Sequence, residues 1–435
     1  MIFEDYLQAS AQRHPDKVAI ADANGEITYS QLAEKICSRA SALNVEGLLV
    51  PLRATSTIDF LVEYFAIHIV GGVAVPLGAS MPQQLFDQYT TITQAASVPA
   101  GSADVLFTTG TTGLPKGVMI SHDAIIANAE NLIDAQGYHA DMTFVVNGPL
   151  NHIGSLSKIY PTLVVGGTVK MVNGMKIASQ FFDAICLAQG PVATFLVPAS
   201  IRMLLALSPK ELESCANKLE FIETGAAPIT QTDMQQLCCM LPNTRLYNTY
   251  ASTETGIVAT YDYNAGNCTA GCVGRPMRHS RILISPDGHI CCQGRTLMSG
   301  YLGDEEATNE VLTDATLHTN DLGHIDAEGL LHITGRADDT INVGGYKIAP
   351  TDVEAAAMAS GCIDDCICIA APHPLLGTVL KLLVVAKSKE FDRKMLVATL
   401  KAKLEPHQLP AMLQEVDHIE RTFNGKINRK FYSSL

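Results

Sequence analysis

Within the ten residues Thr108–Gly117 (TTGTTGLPKG) the chain carries three glycines, four threonine hydroxyls and one lysine. Such a loop offers free backbone N–H groups, hydroxyls and a single cation. That combination suits a polyphosphate, because fixed dipoles and one positive charge replace lost hydration. The spacing is not that of a Walker A loop, in which Gly-Lys-Ser/Thr opens a helix; here Lys116 is followed by Gly117 and the strand-like Val118–Ile120. A flexible surface loop is the competing reading of the stretch. Two further polar segments close apolar runs: Phe221–Thr224 leads into Gly225, and Leu246–Tyr250 leads on to Thr253-Glu254-Thr255-Gly256.

These groups need a frame, and the surrounding pattern supplies one. Asp104–Phe107 reads as a buried strand, and Ser121 can cap a helix running to about Asp134. Residues 27–43 read as a strand end followed by an amphipathic helix, with Leu32, Ile36, Ala40 and Leu43 on one side. Phe60–Val70 reads as a helix, Val73–Pro76 and Thr194–Val197 as strands, and Ala199–Leu207 as a helix. Strands alternating with helices predict an α/β fold, with ligands where strands end in glycine-bearing loops. The last hundred residues change character. Strand-like Leu330–Thr334, Cys366–Ala371 and Val379–Ala386 and helical Pro350–Met358 and Asp392–Leu404 predict a small α+β module. The expected division is a large N-terminal domain of layered sheets and helices over 1–337 and a small mobile domain over 338–435, hinged at Arg336–Asp339.

A chain of 435 residues with 47% apolar and 17% charged residues can bury a large core and is not disordered. Its net charge of −14 argues against nucleic acid as a partner. The acidity belongs to the large part: the last 97 residues hold 12 Lys/Arg against 11 Asp/Glu, leaving 18 against 33 for the rest. The N-terminus lacks a basic region followed by an apolar core, and no run is long and apolar enough to span a membrane. Twelve cysteines without metal spacing are expected to be reduced and mostly buried, in a soluble cytoplasmic protein.

Five ordered motifs together carry a resemblance. TTGTTGLPKG is similar to the phosphate loop of the acyl-adenylate-forming ligases, the superfamily of acyl- and aryl-CoA synthetases, peptide-synthetase adenylation domains and firefly luciferase. Asn248–Glu254 (NTYASTE) resembles that family's N-x-Y-G-x-T-E motif, and Thr319–Gly323 (TNDLG) its TGDLG. Gly335–Glu354 resembles the hinge and following loop, and Arg421–Arg429 (RTFNGKINR) the C-terminal lysine motif. GYLGDEEAT near Gly300 and TYSQL near Thr28 fit as well. Ala251 and Asn320 stand where the family has glycines, and Glu420 and Phe423 where prolines are common. Only Gly78–Gly101 separates Val75-Pro76-Leu77 from the phosphate loop, so part of the N-terminal subdomain is trimmed relative to the family.

The resemblance implies ATP-dependent activation of a carboxylic acid to an acyl-adenylate, then thioester formation with coenzyme A. Loading of a carrier protein's phosphopantetheine is the alternative acceptor, and a catalytically silent nucleotide-binding regulator the alternative class. Thr108, Thr109, Gly110, Thr111, Thr112, Gly113 and Lys116 would hold the β,γ-phosphates, Glu254 a Mg²⁺ ion, and Thr253 an α-phosphate oxygen. Asp321 would accept both ribose hydroxyls and Arg336 would donate nearby. Tyr250 would offer a face to adenine, Asn248 an amide to its edge, and Gly225, Ala226 and Ala227 a side-chain-free approach. Lys426 would enter between carboxylate and α-phosphate. Asp338 would be the hinge, with Gly344 and Gly345 presented to the pantetheine. His152 is expected as a gate beside the acyl pocket or as a hydrogen-bonded core histidine. No aspartate lies between Pro149 and Pro161 to hold a substrate ammonium, and Ile153, Leu156, Phe195, Val197, Ile257 and Val258 are apolar. A neutral aryl or short-to-medium acyl acid fits that lining.

Overall fold

Strands followed by crossover helices return in the same direction, and hairpin-linked strands reverse. Both regimes meet in one sheet of this chain. The computed structural model describes residues 2–108, 116–175, 177–266, 269, 271–337, 339–343, 346–373, 377–388, 391–422 and 427–433. Six strands run parallel in the spatial order Arg245–Ser252, Leu219–Gly225, Val192–Phe195, Thr143–Val146, Thr168–Met171, Val18–Ala21. Beyond Arg245–Ser252 the pairing turns antiparallel through Gly256–Asp262, Cys272–Pro276, Leu331–Arg336 and Thr316–Ile325. Among the described residues this sheet has fourteen strands.

A second sheet of five strands places Leu49–Ala54, Val73–Gly78 and Ser102–Thr108 in parallel. Lys116–Ser121 and Gly300–Tyr301 then join antiparallel. One apolar cluster unites the sheets: Leu106, Val118 and Ile120 belong to it with Phe144, Val169 and Phe221. The helix Ile58–Ile69 lies inside this core and is apolar nearly all round, as a buried helix must be. The helix His122–Gln136 starts where Ser121 accepts a hydrogen bond from the Ala124 N–H (3.1 Å) and stops at left-handed Gly137.

The segment between Gly78 and Gly101 folds as a helix, Gln83–Gln94, in which only Tyr89 and Thr93 are buried. From the sequence alone no element is assigned there. From Ile341 onward the chain builds a separate core. Ile363–His373 and Gly377–Ala386 pair antiparallel, Met412–Glu415 adds in parallel, and the helices Pro350–Met358 and Arg393–Lys403 pack on them. No described helix is long and apolar enough to cross a membrane. Six of the eleven described cysteines are buried, and all eleven are free.

Candidate active site

The glycine-rich motif joins two antiparallel strands, Ser102–Thr108 and Lys116–Ser121, in which Thr108 pairs with Lys116. The Thr108 hydroxyl donates to the Lys116 carbonyl at 3.4 Å. Thr109, Gly110, Thr111, Thr112 and Gly113 lie outside the described residues. Gly117 is glycine for packing: a Cβ there would stand 3.0 Å from Val105, 3.1 Å from Phe107 and 3.2 Å from Leu302. The strand Gly300–Tyr301 pairs with Val118–Met119, and Leu302 N–H donates to the Gly117 carbonyl at 2.7 Å. That pairing sets the Tyr301 ring 4.6 Å from the Lys116 ammonium, a cation–π distance.

The second arm comes from the large sheet. Ser252 and Thr255 exchange hydrogen bonds of 2.9 and 3.0 Å, closing the turn that holds Thr253 and Glu254 at the tip of another hairpin. Gly256 follows with φ of 68°, where a side chain would also collide with the Thr296 carbonyl at 2.6 Å. The Met298 N–H fixes the Glu254 carbonyl at 2.8 Å, and the Tyr301 hydroxyl donates to Glu254 Oε1 at 3.3 Å. Burial, and then the Glu254 carboxylate, push the Tyr301 phenol well above its ordinary range, so it stays a donor. One tyrosine therefore joins Lys116 to Glu254. Sequence reasoning gave Tyr301 no role; its only signal was its place in GYLGDEEAT.

Tyr250, Asp321 and Arg336 converge as a third group. Asp321 and Arg336 face each other across neighbouring strands, 3.4 Å apart, and the Tyr250 hydroxyl donates to the other Asp321 oxygen at 2.7 Å. Tyr250 is only 6% exposed, so it anchors Asp321 more than it offers an open face. Asn248 differs from expectation. Its amide N–H groups already donate to the Cys272 carbonyl (3.0 Å) and Tyr263 hydroxyl (3.3 Å), leaving only its oxygen for a base. Gly225 is buried, and the Thr249 carbonyl, 2.7 Å from where a Cβ would be, requires glycine. Ala226 and Ala227 carry the surface of that turn, and Ala226 is held at φ 66°, a strained conformation for a non-glycine residue.

His152 stands at the start of the helix Ile153–Val164, half-buried, its carbonyl accepting from Ser155 and Leu156 N–H groups. Ile153, Leu156, Phe195 and Ile257 share the main apolar cluster. Val258, expected beside them, faces the opposite side of its strand and packs with Tyr250. Strand alternation makes neighbours Ile257 and Val258 diverge. Behind the Phe195 ring, Lys158 and Glu223 form a fully buried ion pair of 2.7 Å. Burial lowers the Lys158 ammonium pKa against the pull of Glu223. Neither residue was singled out from sequence.

Asp338, Gly344, Gly345 and Lys426 lie outside the described residues. What frames them is visible. Arg429, three residues after Lys426, is held by both Glu354 oxygens (2.8 and 2.9 Å), by Asp339 (3.2 Å) and by the Cys368 carbonyl (3.2 Å). Burial raises the Glu354 carboxyl pKa while Arg429 opposes it. Asp365 pairs with Arg421 at 2.6 Å and reaches Arg202 of the large sheet's helix Pro198–Leu207 at 3.7 Å.

With this geometry in view, three similarities bear on it. The chain is 26% identical to the indoleacetate–CoA ligase of Aromatoleum aromaticum over 499 aligned positions, covering 99% of this chain and 97% of that one. The ATP-bound MatB structure from Rhodopseudomonas palustris superposes with a TM-score of 0.89 at 21% identity, covering 100% of this chain and 99% of that one. The O-succinylbenzoate coenzyme A synthetase of Bacillus subtilis, in complex with ATP and magnesium ion, has a TM-score of 0.84 at 20% identity, with 98% of both chains covered. The model of the AMP-binding enzyme family matches 7–98 and 86–302, and that of its C-terminal domain matches 352–426. The two matches overlap at 86–98, within the short Gly78–Gly101 segment. The chain belongs to the AMP-binding enzymes, an adenylate-forming α/β fold with a large N-terminal and a small C-terminal part.

Proposed function

We propose that the protein activates a carboxylic acid with ATP and passes the acyl group to the thiol of coenzyme A. In the first step the substrate carboxylate oxygen attacks the α-phosphorus, forming acyl-AMP and releasing pyrophosphate. In the second the thiol displaces AMP, giving the thioester. The observation that carries this reading is the Lys116–Tyr301–Glu254 chain, which sets a cation and a carboxylate at the mouth of the phosphate-loop hairpin. Lys116 neutralises the polyphosphate, Thr253 donates to the α-phosphate, and Asp321, steadied by Tyr250 and Arg336, accepts from the ribose. Glu254 fits a Mg²⁺ ion, having a carboxylate oriented by Tyr301 and no lysine or arginine among the described residues paired to it. The ion would offset charge on the departing pyrophosphate.

The acid is a neutral aryl or short-to-medium acyl acid. The helix beside the pocket holds one charged residue, Lys158, and Glu223 already neutralises it. Residues 1–337 form the nucleotide- and acyl-binding unit, and 338–435 the mobile unit that carries Lys426. The kinship to an indoleacetate–CoA ligase supports an aryl acid and coenzyme A. Pyrophosphate exchange over a panel of aryl and acyl acids tests the first step. Exchange that needs one acid class supports the reading, and its absence with every acid overturns it. Supplying coenzyme A or a phosphopantetheinylated carrier protein then identifies the acceptor; thioester on the carrier alone would reject coenzyme A.

A further inference from the structure

At the end of the strands Ser102–Thr108 and Lys116–Ser121 remote from the Thr108–Lys116 pair lies a buried polar cluster that the proposed chemistry does not use. Glu4 on the helix Phe3–Arg13 and Asp104 on the strand Ser102–Thr108 are 2% and 1% exposed, and His68 between them is 2% exposed. His68 Nδ1 lies 2.9 Å from Glu4 Oε1, and its Nε2 lies 3.1 Å from Asp104 Oδ1. His122, the first residue of the helix after the hairpin, sets its ring 5.1 Å from that of His68 at 82°. Two buried polar atoms here have no hydrogen-bond partner among the described residues: Glu4 Oε2 and His122 Nδ1.

We propose that Glu4, His68 and His122 form a structural binding site for a zinc-class divalent transition ion. One ligand atom from each lies within 4.8 Å of the other two, a spread that carboxylate rotation and ring tilt can close. Two imidazoles and one carboxylate suit Zn²⁺, with ligand distances of roughly 2.0–2.2 Å. They do not suit Mg²⁺ or Ca²⁺, which take oxygen. Charge favours the ion as well. Two buried carboxylates, Glu4 and Asp104, both face His68, and among the described residues no lysine or arginine pairs with either. A divalent ion bound by neutral histidines would balance the two carboxylates.

The surroundings are already those of a ligand shell. With Nδ1 on the ion, His68 Nε2–H donates to Asp104, and Asp104 is held through its other oxygen by the Tyr64 hydroxyl at 2.7 Å. A carboxylate that orients a ligating histidine is the usual outer partner of such sites. The ion would tie the helices Phe3–Arg13 and Ile58–Ile69 to the residue that follows the phosphate-loop hairpin.

The test strips the full-length protein with a chelator and titrates it with Zn²⁺ and then Co²⁺. One equivalent is expected, with visible d–d bands of cobalt bound by nitrogen and oxygen and a rise in melting temperature. His68→Ala and His122→Asn each abolish the stoichiometric binding, and Asp104→Asn weakens it by about 10–100-fold. A sulfur-to-cobalt charge-transfer band would assign binding to cysteines and overturn the site. So would full binding in the double histidine variant, or no stoichiometric binding to the unsubstituted chain. The cobalt spectrum needs no variant, so misfolding of one cannot shelter the proposal.

Discussion

Tyr301 acts at once on a cation through its ring face and on a carboxylate through its hydroxyl, and the two functions separate on mutation. Tyr301→Phe keeps the face for Lys116 and removes the donor to Glu254. Loss of a hydrogen bond to a charged acceptor should raise the Mg²⁺ concentration for half-maximal pyrophosphate exchange by about tenfold. An unchanged Mg²⁺ requirement would remove Tyr301 from the metal's support. Asp321→Ala removes the acceptor proposed for the ribose hydroxyls. The ATP KM should rise, each lost hydrogen bond contributing about 1.5–3 kcal/mol, and an unaltered KM would reject that role. The contrast between these residues explains what the sequence could show. Lys116, Glu254 and Asp321 each sit inside a short motif whose neighbours announce it. Tyr301 earns its position from Gly300–Tyr301 pairing with Val118–Met119, far away in the chain, and no local pattern encodes that register. The partners of the Asn248 amide N–H groups, Cys272 and Tyr263, are set by strand pairing in the same way.

Elements tell a similar story. The helix after Ser121 and the helix Pro350–Met358 were legible because a cap or a proline marks where they begin. The helix Gln83–Gln94 has no cap bond and is unassigned from the sequence, although Pro82 precedes it; only Tyr89 and Thr93 on it are buried. Within the helix Ile153–Val164, Lys158 occupies a core position that an apolar residue would ordinarily fill, and only Glu223 on the strand Leu219–Gly225 accounts for it. Lys158→Met alone leaves the Glu223 carboxylate buried and unpaired. It should cost about 3–5 kcal/mol in urea unfolding. Adding Glu223→Leu should recover most of that loss, and a double variant as unstable as the single one would show that the pair is not the cause.

At the scale of the whole molecule, one site must run two reactions. On the proposed reading, a lysine guiding the carboxylate would obstruct an incoming thiol, and a turn of the small unit between the steps would clear it. Lys426→Ala should abolish adenylate formation and still convert supplied acyl-adenylate to thioester. Asp338→Pro should adenylate and then fail, because proline fixes φ at the proposed hinge. Equal slowing of both half-reactions in both variants would reject the alternation. Asp365, shared between Arg421 of its own unit and Arg202 of the other, is a contact that such a turn would break. Among the described residues, the core that begins at Ile341 shares no buried apolar cluster with the sheets before it, which predicts two cooperative units in denaturant. Scanning calorimetry should then resolve two transitions, with ATP raising the one that belongs to the large unit. A single transition that moves as a whole would mean that the polar contacts across the boundary, Arg202–Asp365 and the Thr351 hydroxyl on the Thr334 carbonyl, weld the halves into one melting body.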